Sequence, residues 1–132
     1  MKFKTDPLGV KIIHWEYNDL SGSITKIDFD RKMTAVNKPD TKDKCGLQFR
    51  YIVKFHKEIG LRLNCIAEEV FINDGIVDFT FEELKELMQY SFDRFNVIFE
   101  EKIKSEGHSG ASIQYTIKDI EVHRELKYLQ TL

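Results

Sequence analysis

The strongest constraint on this chain is a change of hydrophobic period at Thr80. Before it, apolar residues recur every second position; after it, every third or fourth. Leu47, Phe49, Tyr51, Val53 and Phe55 share one face, with Gln48, Arg50, Lys54 and His56 on the other and Ile52 as the exception. After a short link at Glu58 to Gly60, Leu61, Leu63, Cys65 and Ala67 alternate with Arg62, Asn64 and Glu68. Phe71 and Ile72 prolong that run, and Asn73-Asp74-Gly75 supplies turn chemistry. The pattern predicts a long antiparallel hairpin with one apolar side. Beyond it, Thr80 and Glu83 have the spacing of a capping box, and Glu82 and Glu83 suit the positive end of a helix dipole. Phe81, Leu84, Leu87, Met88, Ser91, Phe95, Ile98, Phe99 and Ile103 then form one broad face. This predicts a helix ending near Ser105, roughly 37 Å long if unbroken, with room to bend near Tyr90 or to project beyond the sheet. Gly107 suits the position just past its end, and the turn continues through His108, Ser109 and Gly110.

The flanks are read with the same two periods. Met1 to Pro7 reads as a loose end. Leu8 to Tyr17 is rich in β-branched and aromatic residues and reads as a strand, with Val10, Ile12 and His14 on one face and Ile13, Trp15 and Tyr17 on the other. A turn over Asn18 to Ser23 leads to a second strand, Ile24 to Ala35. Here Ile27, Phe29, Met33 and Ala35 alternate with Lys26, Asp28, Asp30 and Lys32. Asn37 to Lys44 is a polar loop. Past the helix, Ile113, Tyr115 and Ile117 alternate, and Ile120 and Val122 fall on the opposite parity. That predicts a fifth strand with a bulge near Asp119, against the alternative of a short helix over Glu121 to Leu129. The expected order is β-β-β-β-α-β in a single α+β domain spanning 1–132. It is an antiparallel meander of four to five strands with one long helix packed on one face.

Composition narrows the function classes. Twenty basic residues against 22 acidic ones give a net charge of -2, which offers nothing to nucleic acid. No apolar run approaches the roughly 20 residues of a membrane span, and the amino-terminal residues lack the pattern of a secretory signal. Cys45 and Cys65 read as free thiols, which places the chain in a reducing cytoplasm. His14, His56, His108 and His123 have no second ligand at metal spacing, and no glycine-rich phosphate loop exists. No cofactor or metal is therefore expected. The Gly-His-Ser-Gly turn follows a helix where a nucleophile elbow follows a strand. The pairs Glu82-Glu83 and Glu100-Glu101 suit a helix start and a solvent face, and alternation puts only one of Glu68 and Glu69 outward. The chain reads as non-enzymatic, with no catalytic residue assigned. An enzyme would need a site gathered from dispersed residues such as His14, Glu69 and His56.

Ten Phe and five Tyr are a large aromatic content for 132 residues. One long helix covers one face of a sheet, yet apolar residues also fall on the second: Ile12 beside Ile13, Ile52 opposite Val53, Ile66 and Val70 opposite Leu63. A partner subunit or an apolar ligand would cover them, or the carboxy-terminal segment would fold across.

The segments VKIIHWEY, LQFRYIVKF, LRLNCIAEEVFI, FTFEEL and YSFDRFNVIFEEKI, within residues 8–104, together resemble the SecB-type export chaperones and their SecB-like relatives. In that family a strand ending in an apolar-Phe step is followed by a short link, an acidic helix start and a long helix. Val70-Phe71-Ile72 and Phe81-Glu82-Glu83-Leu84 occupy those places. The family's proline-aromatic step is replaced by Arg94-Phe95-Asn96, and a strand-like run stands where the family has a second helix that helps shape the client groove. The resemblance implies a four-stranded antiparallel sheet with helix on one face, and subunits paired through strands and helices into homo-oligomers, dimers or tetramers. It implies a holdase that keeps apolar segments of unfolded or preprotein clients without ATP, with Phe71 near the client groove. No docking patch for an export motor can be assigned to particular residues. The alternative is a small-ligand or regulatory binding domain without catalysis, associated with a phage or toxin system.

Overall fold

The computed structural model describes residues 4–5, 9–18, 26–37, 44–56, 60–74, 79–107 and 115–130. Five strands and two helices follow one another: β1 Lys4–Thr5, β2 Lys11–Tyr17, β3 Lys26–Asn37, β4 Lys44–His56, β5 Leu61–Asp74, α1 Phe81–Ser105 and α2 Asp119–Gln130. The α+β class and the antiparallel meander are as the periodicity predicts. β3, β4 and β5 are joined in that order, and β1 and β2 both add to the free side of β5. The amino-terminal residues are thus not wholly a loose end, because Lys4 and Thr5 pair with Ile72 and Phe71. Of the expected turns, residues 19–23, 38–43, 58–59 and 75 lie outside the described residues, as do 24–25 at the start of the expected second strand, while Asn37 ends β3, Lys44 begins β4, and Asn73 and Asp74 continue β5. His108, Ser109 and Gly110 also lie outside the described residues.

The register explains the sheet's two faces. Phe49 pairs with Met33 and Glu69, Tyr51 with Arg31 and Ala67, and Val53 with Phe29 and Cys65. Directly paired residues share a face, so these side chains form the inner layer. Leu47, Phe49, Tyr51, Val53, Leu63, Cys65, Ala67 and Phe71 are completely buried there. β2 departs from simple alternation. A register shift between Ile12 and His14 pairs Ile12 with Ala67 and Trp15 with Cys65. Ile12, Trp15 and Tyr17 therefore all belong to the inner layer, and Ile13 is the extra residue of a bulge, 50% exposed. The two-sided apolarity read from β2 is thus one-sided, and it needs no second layer.

α1 runs unbroken for 25 residues. Thr80 Oγ1 accepts from Glu83 N at 3.2 Å, and Thr80 N donates to Glu83 Oε1 at 3.3 Å, which completes the capping box. Glu106 closes the helix, and Gly107 follows with φ 84, a left-handed conformation that glycine adopts without strain. Leu84, Leu87, Met88, Phe92, Phe95, Phe99 and Ile103 are buried against the inner layer. Aromatic rings join the two: Tyr51 stacks on Phe95 with centroids 4.6 Å apart, and Phe55 and Trp15 each meet Phe99 edge-on.

The predicted fifth strand does not form as expected. Residues 115–118 have no regular structure and a 12-residue helix begins at Asp119, while 111–114 lie outside the described residues. Spacing of three and four among Val122, Leu126 and Leu129 overrides the short alternation before it, because those residues meet the core from one side. Glu121 helps start the helix: its Oε2 accepts Lys118 N at 2.9 Å, half of a capping box. α2 packs on α1, with the His123 and Phe81 rings 4.3 Å apart. Both helices therefore serve the same side of the sheet.

Candidate functional site

Three places hold chemistry that packing alone does not require. The first is the outer face of the sheet. There Ile52 pairs with Ile66, Gln48 with Val70, and Gly46 with Ile72. These four aliphatic side chains are half-buried and run as a stripe along β4 and β5. Polar contacts border it: Arg50 pairs with Glu68 at 2.5 Å, and His56 Nε2 lies within hydrogen-bond distance, 3.0 Å, of Asp28 Oδ2. The ring contacts and hydrogen bonds described between the helical side and the sheet all reach its other, inner face. The outer face is narrower in its apolar content than the sequence suggests, since β2 contributes inward.

The second place is a buried pair between β5 and α1. Alternation turns Glu68 outward and Glu69 into the core, where Glu69 is 1% exposed. Arg94 Nε lies 2.8 Å from Glu69 Oε2, close enough for an ion pair though not aligned as a straight hydrogen bond. Burial pushes the Glu69 carboxyl up, against the opposing pulls of Ser91 and Arg94. Arg94 also donates to Tyr90 Oη at 2.9 Å. Its Nη2 would stand 2.9 Å from a Cβ on Gly9, whose φ of +63 already favours glycine. Beside this pair, Tyr51 Oη and Ser91 Oγ share a hydrogen bond at 2.5 Å inside the core. Burial pushes the Tyr51 hydroxyl's pKa well up, so it is a fixed hydrogen-bonding group and not a base.

The third place lies between β3 and α2. Arg31 shares the inner layer with Phe29 and Met33, and its side chain is only 1% exposed. Its Nη2 donates to Glu121 Oε1 at 3.3 Å, and among the described residues its Nε and Nη1 have no hydrogen-bond partner. Tyr115 Oη also donates to Glu121 Oε1, and the Tyr115 ring packs on Phe29 and Phe92. Burial works to raise the Glu121 carboxyl, but the Tyr115 and Lys118 hydrogen bonds and the Arg31 charge outweigh it and hold the group below its ordinary value. Sequence reading passed over Arg31, although its odd number in β3 places it with the apolar set. That parity is the signal that finds it.

The residues singled out from the sequence fall as follows. Phe71 is completely buried, edge-on to Phe49 and near Tyr90, so in this chain its ring is part of the core. His14 and His56 belong to the outer layer, through their pairing with Ile66 and next to Lys54, while Glu69 points into the core. The sheet separates them, so they form no common site. His14 instead pairs with Glu16 at 2.8 Å. Cys65 is a free, buried thiol whose pKa burial pushes up to about 12, which leaves it inert as a nucleophile. The side chain of Cys45 lies outside the described residues. Among the described residues no group of His, Cys, Asp and Glu could hold a metal, and no helix is long and apolar enough to cross a membrane.

The sequence matches no family model and no curated protein. Among solved structures, the chain is similar to a protein of unknown function from Streptococcus agalactiae, with TM-score 0.49 and 10% identity, covering 86% of this chain and 98% of that one.

Proposed function

We propose that the chain is a non-enzymatic, SecB-like protein-binding module of the cytoplasm, a holdase that keeps apolar segments of unfolded or preprotein clients from aggregating. The observation that carries this reading is one-sidedness. Both helices meet the inner side of the sheet, and the Ile52, Ile66, Val70 and Ile72 stripe lies half-buried on the other. A stripe of this kind flanked by polar contacts suits a second subunit or an extended apolar segment. A second helix follows the long one, which suits this reading. Phe71 takes no direct part, because its ring is spent on the core.

The experiment is aggregation of a chemically unfolded client, followed by light scattering without ATP, alongside the mass of the purified chain in solution. Slowed aggregation and a mass that is a multiple of 15.6 kDa are expected. A solitary chain that leaves aggregation unchanged overturns the reading.

A further inference from the structure

The contact between β3 and α2 has more donors than a structural pin requires. Three groups converge on one carboxylate: Arg31 Nη2 and Tyr115 Oη on Glu121 Oε1, and Lys118 N on Glu121 Oε2. Two further nitrogens of the Arg31 guanidinium, Nε and Nη1, are buried without a hydrogen-bond partner among the described residues. An Arg side chain that is 1% exposed is costly to keep unless something anionic stays beside it. The segment that supplies the anion meets the core on one side only, through Val122, Leu126 and Leu129. Of the α2 residues only Val122 is completely covered, while Ile120 is 75% exposed and Tyr128 41%. One of its polar anchors is Lys85 to Asp119 at 2.8 Å, an exposed pair of the kind that contributes little. A helix of 12 residues is also marginal on its own. The floor beneath Glu121 is aromatic, made by Phe29, Phe92 and Tyr115.

We propose that Arg31 and Tyr115 form a carboxylate-binding site that Glu121 fills from within the chain, and that an acidic residue in an apolar client segment takes that place. The occupant is set by charge complementarity. The guanidinium requires an anion, and the surrounding rings require that the anion arrive flanked by apolar side chains. α2 is then an internal competitor, and clients with one acidic residue among Leu or Phe are preferred. This inference rests on the client-binding reading and names a class of segment for it, at a place on the inner side of the sheet and apart from the outer stripe.

The probe is a short fluorescein-labelled Leu/Phe peptide with one central Glu, compared with a twin carrying Gln, on the full chain. The Glu peptide should bind roughly tenfold more tightly than its twin, as a charge-assisted hydrogen bond implies. Glu121→Gln removes the competing charge and should tighten the Glu peptide. Arg31→Met should abolish the difference between the twins. The double variant Arg31→Met/Glu121→Gln leaves no lone buried charge, so it keeps this arm usable if the single variant unfolds. Equal binding of the twins by the unaltered chain, binding of neither, or no tightening in Glu121→Gln overturns the inference. The client-aggregation assay is read in parallel. Protection that persists without Glu preference sinks this inference alone, and loss of both sinks the binding reading with it.

Discussion

At the residue scale, the polar groups of the inner layer divide by the sign of their effect. Glu121 is held below its ordinary value, so its contribution to stability is present at neutral pH and is lost as the pH falls through that depressed value. Glu69 is raised, so its contribution is present in acid and is lost as the pH rises through the raised value. Thermal melts across pH should therefore show Glu121→Gln flattening the acid limb and Glu69→Gln flattening the opposite one. A Glu69→Gln chain whose profile matches the unaltered one would refute the assignment. Phe71→Ala should cost about 3–5 kcal/mol in urea unfolding, because the ring is completely buried against Phe49. A loss below about 1 kcal/mol would return Phe71 to the surface role the sequence resemblance implied. Parity alone put Glu69 inward and would have put Arg31 inward too. What parity cannot convey is which buried charge finds a partner, since Arg94 lies 25 positions from Glu69 and Glu121 lies 90 from Arg31.

At the element scale, α1 was readable end to end, because its cap, its apolar face and its closing glycine all point to the same boundaries. Thr80→Ala should lower stability by about 1 kcal/mol by removing the hydroxyl that accepts from Glu83 N. Thr80→Asp should retain most of it in the same denaturation series, whereas equal losses would show that the cap contributes nothing. The long hairpin of β4 and β5 was equally plain from its alternation. β2 and α2 were harder, for different reasons. In β2 a single bulge residue, Ile13, reverses the face of everything beyond it, and one sequence carries no mark of where a bulge falls. In α2 the alternation of residues 113–117 competes with a helical spacing that starts only at Val122. The half capping box from Lys118 to Glu121 was the overlooked local sign.

At the scale of the whole molecule, the meander was legible but the side on which the first strand joins was not, because that choice rests on pairing with β5 far along the chain. The proposed assembly depends on the outer stripe. Ile66→Lys, at its centre opposite Ile52, should leave far-UV circular dichroism unchanged and reduce the mass in solution to that of one chain. An assembly that survives this change would place the subunit contact elsewhere, such as the β3 edge or α1.

The placement of β2 beside β5 also bears on how the protein is made. Lys11 has no partner until Glu68 exists, and Tyr17 none until Leu63 does. At a synthesis rate of about 5–20 residues per second, the nascent amino-terminal strand spends seconds outside the ribosome with its backbone unpaired. The chain thus carries its own aggregation hazard during translation, since β5 has to be made before that strand has somewhere to go.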